Sequence, residues 1–391
     1  MPRIAFLTNC IPPYHKPVLD ALATRYGRDN FRVLLSTPME SNRAWGLEWE
    51  GLDVVVQRTV TVGGHWRHPR GFSESTEVHF PLDTLSQLSR FSPDVVISTE
   101  LGFRSLLAVG YTKLRSRSKA ILWTEVNAST EHGRGMLRGI VRKLLAGQAD
   151  GFLALGEDGM RYMRSLGAPA QKLFKLAYTA DVSRFKATSV ERKNERRLLY
   201  VGQLIERKGL LPFTAALKRW AEENSEQEID LTFAGDGPLR QVLQAEAGPR
   251  NLRLEFLGNV MYQDLPQVYA KAGVLVFPTL ADTWGVVVNE AMAAGLPVLG
   301  SIHSQAVREL VIDGKNGWTF RTDCPDEMYQ VIDRCLTSSA QTLQAFGMEA
   351  CKTAMDLPPA RIANMIHAAI ESCFAAGPEG SAEREVCVPR I

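Results

Sequence analysis

Short apolar runs alternate with amphipathic stretches along most of the chain, in two successive series. In the first series, buried strands are predicted at residues 4–8, 31–36, 54–58, 95–99, 120–123 and 151–155. Helix-like stretches lie between them at residues 17–26, 82–90 and 104–114. Strands that alternate with helices in this way are typical of a parallel sheet with helices on both faces.

A polar, charge-rich segment at residues 181–197 ends the first series and is predicted to be a linker. The second series has predicted strands at residues 198–201, 230–234, 252–257, 274–278, 297–301 and 318–320. Its predicted helices lie at residues 210–221, 239–245, 264–270, 287–294 and 305–311. A last helix is predicted over residues 357–375, and a loose tail from Gly377 onward.

The two series predict two tandem Rossmann-like, doubly wound α/β domains that face each other across a cleft. A length of 391 residues agrees with two domains, predicted at residues 1–180 and 198–360. Residues 361–391 are predicted to form a C-terminal helix that packs back on the first domain, plus the loose tail. Because α/β sheets bind ligands beyond the carboxyl ends of their strands, the turns that follow strands are where chemistry is expected.

The charge of the chain is nearly balanced. Lys and Arg total 45 against 43 Asp and Glu, so the formal net charge is +2. A dedicated nucleic-acid binder needs an excess of cations to neutralise phosphates, and this balance therefore argues against nucleic acid as a partner. Hydrophobic residues make up 45% of the chain, which is ordinary for a globular protein with a core.

Targeting and redox signals point to the cytoplasm. The N-terminal apolar run is too short for a signal-peptide core, and no run approaches the roughly 20 apolar residues that span a bilayer. The six cysteines form no C-x-x-C pair, which fits neither a zinc site nor a compact disulfide framework. We therefore predict a cytoplasmic protein with reduced cysteines.

One stretch, residues 104–143, is strongly basic. Its cations are Arg104, Lys113, Arg115, Arg117, Lys119, Arg134, Arg138, Arg142 and Lys143. Apolar residues at helical spacing interleave with them from residue 136 onward, and the loop His65-Trp-Arg-His-Pro-Arg70 adds aromatic and basic character. One interpretation is an ordinary amphipathic helix packed on the sheet, with solvated cations. The other is peripheral attachment to an anionic membrane surface, on the inner face of the membrane.

The segment from residue 277 to residue 300 is the most informative about chemistry. A strand ends at Pro278, Asp282 lies in the loop that follows, and Glu290 lies in the next helix. A helix start offers backbone amides and a positive dipole end to an anion, and Gly285 would let the anion approach closely. Asp282 would then bind sugar hydroxyls and Glu290 a ribose. The alternative is a carboxylate that complements the helix dipole and a solvated surface glutamate.

Two other turns of the second domain carry candidate residues. The loop after the strand at 198–201 contains Gln203, Arg207 and Lys208, and cations at this end of a strand suit phosphates. Solvated loop charges are the alternative. The turn Phe233-Ala-Gly-Asp-Gly-Pro-Leu239 partly matches G-x-G-x-x-G, but Arg240 replaces the last glycine. A nicotinamide cofactor is therefore not favoured, and a tight strand-to-helix connection is the simpler interpretation.

Taken together, these blocks resemble the donor-binding half of glycosyltransferase family 4, which has the GT-B fold. The blocks are Val201-Gly-Gln-Leu-Ile-Glu-Arg-Lys-Gly209, Gly235-Asp-Gly-Pro238, and Asp282-x7-Glu290 followed by Ala-Met-Ala293. The resemblance is dense from about residue 196 to residue 320 and vague before it. It implies a retaining, hexosyltransferase-type transfer from a nucleotide-diphosphate sugar. The implied acceptor is a hydroxyl of a saccharide or lipid-linked saccharide, in glycan or polysaccharide biosynthesis.

The resemblance also implies roles for single residues. Lys208, Asp282 and Glu290 would be catalytic: Lys208 stabilises the leaving diphosphate, Asp282 holds the transferred sugar, and Glu290 binds the donor ribose. The predicted donor site comprises Gly202, Gln203, Arg207, Lys208, Gly235, Asp236, Gly237, Asp282, Thr283, Trp284, Gly285, Val286, Val287 and Glu290. Two positions depart from the family. Asp282 stands where Glu is usual, and Gln203 stands where Arg is frequent, so Arg207 would partly replace that cation.

Neither a metal nor another cofactor is predicted, because the chain contains no D-x-D triplet of the kind that holds a divalent metal in many sugar transferases. Acceptor-side candidates lie in the first domain: His15, Lys16, Glu125 and His132. For Glu125, a helix cap or a local salt bridge is the alternative. Two other functions stay open, a nucleotide-sugar 2-epimerase of the same fold and a glycan- or nucleotide-binding partner without catalysis.

Overall fold

The computed structural model describes residues 1–41, 43, 45–46, 49–185, 196–245 and 248–375. The chain divides into two compact units. The first contains Met1–Trp66, Ser75–Ala177 and the chain from Pro359 onward, and the second contains Arg67–Glu74 and Tyr178–Pro358. None of the helices in the described part of the chain is long and apolar enough to cross a membrane.

The strands in the first part of the chain are β1 (Ile4–Thr8), β2 (Phe31–Leu35), β3 (Asp53–Val56), β4 (Thr59–Arg67), β5 (Ser73–Pro81), β6 (Val95–Thr99), β7 (Lys119–Thr124), β8 (Gly151–Leu155) and β9 (Leu173–Leu176). The helices of the first unit are α1 (Lys16–Tyr26), α2 (Thr84–Phe91), α3 (Phe103–Lys113), α4 (Ala128–Glu131), α5 (Met136–Gln148), α6 (Gly156–Ser165) and α15 (Pro359–Ala375). Seven strands form one sheet in the order β3-β2-β1-β6-β7-β8-β9, and their pairings are parallel.

The central strands of this sheet are buried on both faces, which is why they are continuous apolar runs in the sequence. The six strands predicted in this half are confirmed to within two residues at each end. The sequence did not predict β9 or the two-stranded sheet of β4 and β5. In particular, His65–Arg67 was predicted to be loop and instead ends β4.

The C-terminal helix α15 packs within the first unit against α1. The Tyr26 hydroxyl lies 2.6 Å from Nδ1 of His367, and Arg25 donates a hydrogen bond of 2.6 Å to the Asn364 side chain. Residues near both ends of the chain therefore belong to the same core. The tail predicted from Gly377 onward lies outside the described residues.

The second unit has strands β10 (Arg197–Val201), β11 (Ile229–Ala234), β12 (Leu252–Gly258), β13 (Val274–Phe277), β14 (Val298–Ser301) and β15 (Gly317–Phe320). Its helices are α7 (Val182–Phe185), α8 (Leu210–Glu223), α9 (Arg240–Ala245), α10 (Leu265–Ala270), α11 (Val286–Ala293), α12 (Gln305–Leu310), α13 (Pro325–Leu336) and α14 (Ala340–Met355). The sheet has the order β12-β11-β10-β13-β14-β15, again with parallel pairings.

The core of this unit holds its largest aromatic side chains. Trp220 is fully buried and donates its indole N–H to Asp333 at 2.8 Å, while Phe233 and Phe256 stack with ring centroids 4.7 Å apart. Part of the predicted linker also contributes to the core, because residues 182–185 form α7 and Phe185 is buried. Residues 186–195 of that predicted linker lie outside the described residues.

Candidate active site

The candidate site lies where the strand order of the second sheet reverses. β10 pairs with β11 on one side and with β13 on the other, so the connections that follow β10 and β13 lead away in opposite directions. In open α/β sheets the crevice at such a switch point, beyond the carboxyl ends of the strands, is the usual ligand site. The loop after β10 carries Arg207 and Lys208, and the loop after β13 carries Asp282.

A glycine brings these two loops together. Gly209 has a φ of 64°, and a Cβ at this position would lie 2.1 Å from the carbonyl oxygen of Pro278. The Arg207 carbonyl oxygen accepts hydrogen bonds from the Leu280 amide at 2.8 Å and from the Thr279 hydroxyl at 3.1 Å. Only glycine combines this left-handed backbone with so close an approach. Gly209 therefore sets the distance between the two charged loops.

Asp282 is held by two cations and one amide. Its Oδ2 accepts a hydrogen bond of 2.5 Å from Lys208 Nζ and one of 3.3 Å from Arg207, and its Oδ1 accepts the Trp284 amide at 3.3 Å. Burial alone would raise the pKa of this carboxyl. The attraction of Lys208 and then of Arg207 outweighs burial and lowers the pKa to about 2. Asp282 is therefore ionised throughout the neutral range.

Arg207 is also bound from a segment that the sequence did not single out. Its Nε donates to Glu74, and its terminal nitrogen donates to the Ala281 carbonyl oxygen at 2.9 Å. Arg70, from the same segment, donates a hydrogen bond of 2.6 Å to the Leu280 carbonyl oxygen. Residues 67–74 thus contact both charged loops. No short-range pattern marks this partnership, because Glu74 and Arg207 are 133 residues apart.

Helix α11 begins directly beside Asp282, and a buried network fixes its start. The Trp284 indole donates to Asn289 at 2.8 Å, and Asn289 in turn donates to the Tyr178 carbonyl oxygen at 3.0 Å. Helix geometry leaves the amides of Val286 and Val287 without partners inside the helix, so they can serve an anion. The sequence prediction attributed Gly285 to anion approach. The structure gives another reason, because with a φ of 101° its Cβ would lie 2.5 Å from the Phe277 ring.

Glu290 lies one turn into α11 and is buried, with 2% of its surface exposed. The alternative of a solvated surface glutamate is therefore wrong. Its Oε2 accepts a hydrogen bond of 2.8 Å from the Tyr269 hydroxyl. Burial raises the pKa of Glu290 to about 7, and the bond from Tyr269 offsets only part of that rise. The site thus combines Asp282, which is ionised at neutral pH, with Glu290, which titrates near neutrality.

The glycine-rich turn after β11 is a tight backbone crossing. A Cβ on Gly235 would lie 1.9 Å from the Gly202 carbonyl oxygen, and one on Gly237 would lie 2.5 Å from that of Leu204. The Asp236 carboxylate accepts from the Gly237 amide at 2.8 Å and from Arg240 at 3.0 Å. The structure therefore explains these residues by local packing, and their contact with a nucleotide stays a prediction.

Two of the predicted acceptor-side residues, His15 and Lys16, lie at the start of α1. His15 is buried, with its ring 5.2 Å from that of Trp123, and burial lowers its pKa to about 3. The His15 ring is therefore neutral at physiological pH. Lys16 donates to both carboxylate oxygens of Asp20, at 2.8 and 2.7 Å.

The other two acceptor-side residues flank α4. Glu125 is half-buried, and it does not cap this helix, because the Asn127 side chain accepts the Thr130 amide at 3.1 Å in that role. His132 is exposed, and its carbonyl oxygen accepts the indole N–H of Trp66 at 3.1 Å. The acceptor role of all four residues stays a prediction.

The cations of the basic stretch are not all solvated, contrary to the first interpretation of that segment. Arg104 is buried and donates to Asn9 and Ser36, at 2.7 Å each. Arg142 is also buried, where it pairs with Glu131 and donates to the Tyr162 hydroxyl at 2.8 Å. These two arginines hold the first unit together, so fewer cations than the sequence suggests are available to a partner.

Comparison with known proteins identifies the part of the chain that forms this site. Residues 195–338 match the family model of Glycosyl transferases group 1. This segment is therefore similar to a group 1 glycosyltransferase domain. It contains Lys208, Asp282 and Glu290, which agrees with the resemblance found in the sequence.

Curated relatives match parts of the chain of comparable length. An uncharacterized glycosyltransferase of Methanocaldococcus jannaschii is 32% identical over 148 residues, 37% of this chain and 36% of its own length. The alpha-D-kanosaminyltransferase of Streptomyces kanamyceticus is 27% identical over 192 residues, 46% of this chain and 48% of its own length. The chain thus spans about a third to a half of the length of these relatives.

Solved structures extend the likeness beyond residues 195–338. Anabaena HepE in complex with UDP aligns with a TM-score of 0.74 and 19% identity, covering 95% of this chain and 100% of HepE. The lipopolysaccharide outer core galactosyltransferase WaaB in its apo form aligns with a TM-score of 0.70 and 16% identity, covering 95% and 99%. The chain therefore has the GT-B fold, with two Rossmann-like α/β units.

Proposed function

We propose that this protein is a glycosyltransferase that moves a sugar from a nucleotide-diphosphate sugar to a hydroxyl acceptor, with retention of the anomeric configuration and without a metal. The observation that carries the proposal is the arrangement at the switch point of the second sheet. There Lys208 and Arg207 meet Asp282 at the start of α11, one turn before the buried Glu290. Cations and helix amides suit a diphosphate, and the two carboxylates suit hydroxyl groups.

The chemistry needs charge stabilisation more than a strong base. As the bond between the sugar C1 and the phosphate oxygen breaks, negative charge grows on the leaving diphosphate. Lys208 and the amides of Val286 and Val287 are preorganised for such charge, as in an oxyanion hole. The acceptor hydroxyl attacks C1 from the face that the leaving group vacates, and its proton passes to the leaving phosphate. Retention follows from attack on that same face.

Donor and acceptor classes follow from the relatives and from the resemblance. HepE is a structural neighbour in complex with UDP, in another structure with UDP and glucose, and in a third with UDP-glucose. A nucleoside-diphosphate hexose is accordingly the proposed donor class. Curated relatives include a putative colanic acid biosynthesis glycosyltransferase of Salmonella typhimurium. We propose a saccharide or lipid-linked saccharide as the acceptor, in glycan or polysaccharide biosynthesis.

The decisive experiment begins with a thermal-shift panel of nucleotide-sugars, since ligands that bind only the folded state raise its stability. With the donor found, Lys208→Ala should lower transfer at saturating donor by roughly 10²–10³-fold. Lys315→Ala is the matched control, because Lys315 lies in the same unit but pairs with Glu349 at the surface. Activity of Lys208→Ala within a few-fold of wild type would refute the role of this lysine.

The finer claims need separate readouts. Retention is tested by the anomeric coupling constant of the product in NMR, and an inverted product would contradict it. Metal independence is tested by assaying the chelator-treated protein, whose rate should be unchanged.

Conversion of the donor to an epimer in the absence of acceptor would instead indicate a 2-epimerase. Donor binding without transfer, hydrolysis or epimerisation would indicate a binding protein.

We also propose that the protein attaches peripherally to the inner, anionic surface of the membrane through α5. This helix buries Arg142, Leu145 and Ala146 and exposes large apolar side chains. The exposed residues are Met136 (84%), Leu137 (75%), Ile140 (58%) and Leu144 (54%). Their spacing places them on one side of the helix, and Arg138 and Lys143 belong to the same helix. An apolar stripe with neighbouring cations suits an anionic bilayer, where a lipid-linked acceptor would lie.

Vesicle flotation tests this attachment. The wild-type chain should float together with vesicles that contain phosphatidylglycerol. With pure phosphatidylcholine vesicles it should remain in the unbound bottom fraction. Ile140→Glu should abolish flotation, since it places a charge in the middle of the stripe. The control Met348→Glu changes a similarly exposed methionine on α14 of the second unit and should have no effect. Equal flotation with neutral vesicles, or none with anionic ones, would contradict the attachment.

A further inference from the structure

Residues 67–74 comprise the end of β4, the turn that follows it and the start of β5, and they belong to the second unit. His68 and Phe72 are both buried, and their rings stack with centroids 4.5 Å apart. The turn is closed by a hydrogen bond of 2.9 Å from the His68 amide to the Phe72 carbonyl oxygen. Gly71 permits the turn with a φ of 88°. The segment therefore has a defined conformation, which fixes the backbone positions of Arg70 and Glu74.

Two charged residues of this segment, Arg70 and Glu74, bind the loops of the candidate site. Arg70 donates to the Leu280 carbonyl oxygen at 2.6 Å, two residues before Asp282. Glu74 accepts from Arg207 Nε, while a terminal nitrogen of Arg207 donates to Asp282 at 3.3 Å. Two cations, Arg207 and Lys208, are thus balanced by two carboxylates, Glu74 and Asp282.

A bound diphosphate would upset this balance. It would add negative charge beside Glu74 and Asp282, and at Gln203 the chain has no cation to compensate. Asp282 is anchored by Lys208, Arg207 and the Trp284 amide at the start of α11. Glu74 is the more easily displaced of the two carboxylates. It is the second residue of β5, and its side chain, 23% exposed, accepts from Nε of Arg207, whereas Asp282 accepts from a terminal nitrogen of Arg207.

From this arrangement we infer that Glu74 competes with the donor for Arg207. In the free protein its carboxylate binds the Arg207 guanidinium, and the donor diphosphate binds the same guanidinium when it enters the site. This inference rests on the proposed function. In the free protein, Glu74 keeps Arg207 neutralised and oriented, so that single phosphate ions bind weakly. A nucleotide-sugar, which is also held at Glu290, displaces the carboxylate. Glu74 therefore sets donor affinity without touching the reacting atoms.

Calorimetric titration of the full chain with UDP, GDP and ADP tests the inference. Removing one negative charge within a few ångströms of the diphosphate should tighten binding of the preferred nucleotide roughly ten-fold in Glu74→Gln. The control Glu77→Gln removes the same charge from β5, where Glu77 accepts a hydrogen bond of 2.6 Å from Ser41. The dissociation constant of this variant should stay within about two-fold of wild type, because Glu77 is exposed and lies three strand residues, or about 10 Å, beyond Glu74, where salt screens much of its charge.

A double-mutant cycle separates competition for Arg207 from a general charge effect. In an Arg207→Gln background, Glu74→Gln should produce no further gain in affinity. Unchanged or weaker binding in Glu74→Gln, or an equal gain in both backgrounds, would overturn the inference while leaving the proposed function intact. Failure of the wild type and all variants to bind any nucleoside diphosphate or nucleotide-sugar would instead overturn both. Thermal unfolding of each variant confirms that it is folded.

Discussion

The most informative single perturbation is a change of pH across the titration of Glu290. Its pKa is raised by burial from an ordinary 4.5 to about 7, and Tyr269 offsets part of this rise. That difference corresponds to roughly 3 kcal/mol in favour of the neutral acid in the folded chain. Between pH 4.5 and 7 the folded chain keeps a proton that the unfolded chain has lost. The free energy of unfolding from this group therefore falls as the pH rises through that window.

Donor binding should depend on pH in the opposite sense. A ribose that donates hydrogen bonds to Glu290 favours the carboxylate, so binding below pH 7 releases a proton. With a pKa of about 7 in the free protein and a much lower one in the complex, affinity should rise roughly ten-fold from pH 6 to pH 8 and then level off. Glu290→Gln has no titrating group at this position and should abolish the dependence.

Titration calorimetry in two buffers of different ionisation enthalpy measures both the affinity and the protons released. The ligand should be the intact nucleotide-sugar, because the terminal phosphate of a free nucleoside diphosphate itself titrates near neutrality. Equal affinity of the wild type at pH 6 and pH 8 would refute the linkage to Glu290. The same would hold if Glu290→Gln kept the full pH dependence of the wild type.

Two further predictions concern the way the charged loops are held together. Gly209→Ala should destabilise the fold by about 2 kcal/mol or more, because the added Cβ would clash with Pro278. Urea unfolding measures this loss of stability. The control Gly147→Ala on α5 has open space around the added Cβ and should stabilise the fold slightly. Asp282→Asn should lower the free energy of unfolding by about 3 kcal/mol at pH 7, because it removes the buried carboxylate charge that Lys208 and Arg207 share. Because the pKa of Asp282 falls from 3.8 to about 2, its contribution is present above pH 3.8 and lost as the pH falls toward 2. The two chains should therefore converge in stability in acid, and a constant difference would contradict the pairing.

Most strands of the two large sheets could be predicted because the central ones are short apolar runs buried on both faces. The sheet of β4 and β5 could not be predicted in the same way. Most of β4 is exposed, including Val60 and Val62, so burial left no one-sided apolar pattern in its sequence. The exposed apolar stripe of α5 shows a second limit of prediction from the sequence. Its apolar periodicity marked a helix correctly, but the periodicity could not tell which face is buried.

In the candidate site, the sequence by itself determined the residue types and their order. It placed two cations after one strand, a carboxylate before a helix and a second carboxylate within that helix. Such patterns extend over a few residues, so local propensity and spacing are enough to reveal them. Only the tertiary structure decided that Asp282 pairs with Lys208 and that Glu290 is buried and bonded to Tyr269. It also decided that Glu74 belongs to the site, through its contact with Arg207. These contacts join segments far apart in the chain, and their strength depends on burial and distance, which no local pattern encodes.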